Sequence, residues 1–133
     1  MLRVAVTTLA LILLLATTTE ATQVTMRWTV PYDDVGVTNS TMRFSPTPVG
    51  ADTSAWWQTA YSIYGLPVPG PSGTRDSVFV QLQPGTYYFN ILHGDSSGNW
   101  SSWSNVAEVI VPELPDTTAP FRVQDLDYYI SEP

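Results

Sequence analysis

Apolar residues fall at every second position through several stretches of this chain. Val24, Met26, Trp28 and Val30 share one face of an extended segment, with Thr25, Arg27 and Thr29 on the other. Val78, Val80 and Leu82 alternate, Pro84-Gly85 turns the chain, and Tyr87, Phe89 and Ile91 alternate again. A period of two bounded by Pro and Gly marks half-buried strands. Met42 and Phe44 in STMRFS add a further strand, stopped by Pro46 and Pro48, since proline cannot donate to a ladder. The pattern predicts strands near 24–30, 40–45, 77–82, 86–93 and 105–111. Residues 50–76 read as irregular, with Trp56-Trp57 followed by a segment punctuated by Pro67, Pro69 and Pro71. No 3.6-residue period persists after the N-terminal segment, so essentially no helix is expected.

That N-terminal segment carries Arg3, an apolar run from Val4 to Ala16, and the small residues Thr19 and Ala21 at the positions a signal peptidase reads. The run is shorter than the ~20 residues of a spanning helix. Residues 1–21 are therefore expected to be a cleaved signal peptide, an uncleaved anchor being the alternative. Residues 22–112 follow as one domain and 113–133 as a Pro-punctuated linker and tail. Export implies a secreted, extracellular or cell-surface location, with no membrane span once the signal is removed. The chain has no cysteine, so the domain must hold by packing alone. A net charge of -7, with five scattered arginines as its only strongly basic residues, argues against nucleic acid and anionic membranes as partners.

Trp28-Thr29-Val30-Pro31 with Asp33-Asp34, Leu82-Gln83-Pro84-Gly85-Thr86-Tyr87, and Gly98-Asn99-Trp100-Ser101 with Ser104-Asn105-Val106 together resemble a fibronectin type III domain, of the type common in secreted bacterial multidomain proteins. The resemblance runs from about Val24 to Val111. It implies an all-β, immunoglobulin-like Greek-key β-sandwich of seven strands, with Tyr87 bonding back to nearby backbone. The core it implies contains Trp28, Phe44, Leu82, Tyr87, Phe89 and Trp103. The family's first strand is missing before Val24, or is supplied from elsewhere. Meanwhile Asp116 to Leu126 resembles the segment that opens a next such domain. In the complete fold the termini lie at opposite poles, so the tail is not expected to fill the vacancy itself. It is the stub of a longer chain, a free or loosely folded end, or a strand added to a neighbouring molecule.

Candidate chemistry is sparse. His93 is the only histidine, expected near the surface at a strand end, and a zinc site or a Ser-His-Asp arrangement would need partners the pattern does not supply. Asp33, Asp34 and Asp95 fall in two loops that share a pole in the resembled fold and are candidate calcium ligands, although aspartate also closes turns on its own backbone. Trp100-Ser101-Ser102-Trp103-Ser104 spells the WSxWS motif of class I cytokine receptors, whose tryptophans interleave with arginines of a neighbouring strand. The strand at 86–93 offers Tyr88, Asn90 and Leu92 but no arginine, so the motif is read as coincidence and Trp103 as a core residue. Trp56 and Trp57, if extended, point to opposite faces and form a candidate aromatic binding patch. Asn39-Ser40-Thr41 and Asn99-Trp100-Ser101 are glycosylation sequons. These features predict a non-catalytic module without cofactor or metal, acting as a spacer, adhesion or protein-interaction unit. The alternatives are a carbohydrate-binding module using an exposed tryptophan, or a strand-exchanging assembly subunit. The partner is expected to be an extracellular protein or glycan, with a homo-oligomer formed through the tail as a further possibility.

Overall fold

The computed structural model describes residues 20–131; the expected signal peptide lies almost wholly outside them. Strand accounts for 39% of the structure and helix for 6%. The elements are β1 (Thr22–Thr29), β2 (Val37–Ser45), α1 (Thr53–Thr59), β3 (Tyr61–Ser62), β4 (Arg75–Leu82), β5 (Gly85–Asp95) and β6 (Ala107–Val111). They form two sheets, β1-β4 and β3-β2-β5-β6, in which every ladder is antiparallel.

The alternation read from the sequence sets which face of each strand is covered. β1 and β4 pair without a break from Thr22↔Leu82 to Thr29↔Arg75. Val24, Met26 and Trp28 pack against the core from β1, while Thr25, Arg27 and Thr29 are exposed. Val78 and Leu82 are buried on β4, and Phe79 between them points outward at 65% exposure. β5 pairs with β2 on one edge and β6 on the other, and its residues 89–91 are buried without alternation. Met42, Val78, Leu82, Phe89, Ile91 and Val111 form the fully buried cluster. Phe44 stacks on Phe89 at 5.5 Å between ring centroids, and Tyr87 tilts against the other side of this aromatic group. The Tyr87 hydroxyl donates to the Gln83 carbonyl at 3.0 Å, tying the β4–β5 corner. Gly85 sits in that corner at φ +152°, with the Tyr87 ring 3.6 Å from where a Cβ would stand.

The expectation of no helix is corrected by α1. The Asp52 side chain accepts from the Ala55 amide at 3.0 Å and caps it, and Trp56 is its buried residue. Seven residues are too few to show a helical period, and packing of the Trp56 ring stabilises what propensity alone would leave marginal. The register also places the ends of the described strands. Thr22 opposes Leu82 and Val111 opposes Gly85, so β1 starts and β6 finishes at the same end of the molecule. Beyond Val111 no strand forms, and residues 112–131 are exposed throughout.

Phe89→Ala removes a ring that is 2% exposed and is expected to destabilise the domain by about 3–5 kcal/mol. Phe79→Ala is expected to stay within about 0.5 kcal/mol. Urea denaturation of both variants checks this; equal losses would contradict the inward and outward assignment of β4 and β5.

Candidate functional site

The end of the molecule where β1 finishes gathers most of the polar candidates. Asp33, His93, Asp95 and Trp100 line one cavity of about 240 Å³ there, and Asp34 is not among its lining residues. The carboxylates are occupied by their own loops. Asp95 accepts from the amides of Ser97 (2.8 Å) and Asn99 (2.9 Å) and from the Asn99 side chain (2.9 Å). The Asn99 side-chain bond, with the backbone bonds behind it, holds the Asp95 carboxyl below the usual carboxylate range. Asp33 accepts from the Val35 amide at 3.1 Å. Among the described residues no three His, Cys, Asp or Glu side chains come together as a metal set. Asp33 and Asp95 thus each accept hydrogen bonds from the amides of their own turns.

His93, expected near the surface, is 8% exposed. Its backbone is clamped by Ser101, which donates its amide to the His93 carbonyl (2.8 Å) and accepts from the His93 amide through its hydroxyl (3.0 Å). The ring Nε2 is buried with no hydrogen-bond partner among the described residues. Burial lowers the His93 pKa, and the charge of Asp76 opposes that shift in part. Among the described residues no serine hydrogen-bonds the imidazole.

The tryptophans are arranged differently from the extended reading. Trp56 turns inward, where its Nε1 donates to the Thr47 carbonyl at 2.9 Å. Trp57 is half-buried and stands between Arg43 of β2, 5.1 Å from its ring centroid, and Trp103, 5.3 Å away. Arg43 also donates to the Trp57 carbonyl at 2.6 Å, which fixes the cation against the indole. Trp103 is 39% exposed, so its assignment to the core is corrected: it caps this ladder at the surface. The arginine comes from β2 by way of α1, whereas the sequence motif drew attention only to the strand that became β5. Trp100 lies across Gly94, where an added Cβ would come within 3.1 Å of the indole.

The alternation of the sequence does not show which strand edges are paired, and the register brings out the edge of β1. β4 covers one edge, and the other has no strand partner among the described residues. Beneath that free edge the two sheets stand apart. Two adjoining cavities of about 90 and 360 Å³ share Arg27, Trp28, Ile91, Ser104 and Asn105 as walls. Met42 and Phe89 floor the smaller and His93 the larger. The far wall is held by a side-chain clamp, because β5 and β6 stop pairing at Phe89↔Ala107. Ser104 takes over there: its hydroxyl accepts from the Ile91 amide (3.0 Å), and its amide donates to the Asn90 side chain (3.2 Å). Trp28 lines this groove, and its Nε1 is buried without a hydrogen-bond partner among the described residues. The groove thus combines free main-chain groups, an apolar floor and unused polar atoms, the recognition elements for an extended peptide.

Comparison of the chain with protein-family models, curated proteins and solved structures gives no match.

Two measurements check this geometry. The His93 ring should titrate below the ordinary histidine value of about 6.5. The unfolded chain then takes up its proton first, so stability is complete above ~6.5, falls as pH drops below it, and levels off once folded His93 protonates. His93→Gln should flatten that segment of the profile; an unchanged slope would contradict the burial. Separately, Trp57→Leu should remove most of the near-UV circular dichroism of the coupled indoles, whereas Trp100→Leu should remove far less.

Proposed function

We propose that the chain is a secreted or cell-surface, non-catalytic module of fibronectin type III-like, immunoglobulin-like Greek-key build that works by protein contact, as an adhesion or interaction unit. The strand order supports the build: β1-β4 opposite β3-β2-β5-β6 is the arrangement such a sandwich leaves when its first strand is absent. The N-terminal pattern supports export. The single observation that carries the interaction role is the free β1 edge over an open groove. An uncovered edge is a pairing template, and a covered or charged edge is the usual protection against unwanted pairing. Here an extended polypeptide would gain ladder bonds along β1 and side-chain pockets beneath it.

The carbohydrate reading has less support. Trp56 is buried, and the Trp57 ring is already engaged by Arg43 and Trp103. A sugar-stacking platform requires an open ring face.

Parallel peptide and glycan arrays probed with the full chain separate the two. The expected result is binding to strand-forming peptides that compete for one site and are unaffected by Trp57→Ala. Glycan binding abolished by Trp57→Ala would replace the proposal with the carbohydrate reading, and silence on both arrays would contradict both.

A further inference from the structure

The same chain presents an open groove and, in its tail, an exposed segment with the apolar alternation of a strand. In the tail, Leu126, Tyr128 and Ile130 recur at every second position and are 91%, 81% and 79% exposed. Asp125, Asp127 and Tyr129 alternate with them. This is the period of a strand with one apolar face, and it matches the inward residues of β1, of which Met26 and Trp28 line the groove.

We infer that residues 125–130 of a second copy of this chain add to the free edge of β1, with Leu126, Tyr128 and Ile130 entering the groove. This rests on the open-edge reading above and names its partner. Charge favours the docking. Arg27 and Arg75 are exposed on the outer face of the β1-β4 sheet, since Thr29 pairs with Arg75 and lies two residues from Arg27. A strand whose apolar face points inward puts Asp125 and Asp127 on that same outer face, beside Arg27, with Arg75 one strand further across the sheet.

The topology selects a second copy over the chain's own tail. β6 delivers the tail to the end of the molecule where β1 starts, so an own tail folded back along the edge would run parallel to β1. Each of the four ladders described is antiparallel, and the tail of another molecule can keep that pattern. The linker works in the same direction. Pro112, Pro115 and Pro120 favour an extended course, and the span 112–120 reaches roughly 28 Å in that conformation, far enough to present the tail to another molecule.

Sedimentation velocity of the full chain over a wide concentration range, beside the triple variant Leu126→Asp/Tyr128→Asp/Ile130→Asp, tests the inference. The expected result is concentration-dependent association, weakened about tenfold or more in the variant. The substituted residues are exposed and outside every strand, so the far-UV spectrum and melting of the variant should match the parent. The absence of native cysteine allows a second readout. Arg27→Cys and Tyr129→Cys chains, mixed and oxidised, should give a disulfide-linked heterodimer. A chain that stays monomeric, association insensitive to the tail variant, or cross-linking within a single Arg27→Cys/Tyr129→Cys chain would each overturn exchange between copies. None of these outcomes touches the wider module reading, which the arrays test with foreign peptides.

Discussion

β5 must satisfy main-chain groups on both edges while burying Phe89, Asn90, Ile91 and His93 in its middle. Buried backbone amides left unpaired are costly, so each residue of this strand needs a partner. β2 supplies one along nearly the whole strand, and β6 supplies the other only as far as Phe89. Beyond that point Ser104 and Ser101 serve in its place, through their hydroxyls and amides. The serines of the 100–104 stretch therefore act as a substitute ladder. The arrangement leaves the chain there standing away from β1, and that separation makes the groove.

β1 shows the opposite situation. It pairs along its full length with β4 and with nothing else described. Without cysteine the two sheets are held by side-chain packing alone, chiefly Val24, Met26 and Trp28 against the cluster around Phe89. A two-stranded ribbon on its own is marginal, so β1-β4 depends on the four-stranded sheet for stability, and a third strand beside β1 would bury more of the same apolar surface. At the other edge of the large sheet, α1 and β3 cover β2, and the Arg43–Trp57–Trp103 ladder fastens that cover. β2 is thereby covered at its edge, whereas the edge of β1 has no such cover among the described residues.

Much of this was legible in the sequence. The period of two located β1, β2, β4, β5 and β6 to within a few residues, because each half-buried strand must alternate its side chains. α1 was not legible, since Asp52 capping seven residues leaves no periodic trace and only Trp56 gains burial from the turn. Trp103 was misplaced because its environment depends on Trp57 and Arg43, brought together from separate elements. His93 looked solvent-facing from the polar loop that follows it, whereas the Ser101 clamp folds that loop back over it. The groove, its lining and its end-to-end polarity needed the register, because alternation within one strand does not say which edges are paired.

The open β1 edge is the central claim, and amide hydrogen exchange followed residue by residue by NMR in dilute solution tests it most directly. β1 amides directed toward β4 should be protected like those of β5, while those directed away should exchange at rates near those of exposed peptide. Protection on both edges of β1 in the dilute monomer would mean that the edge is already covered, and the account would fail.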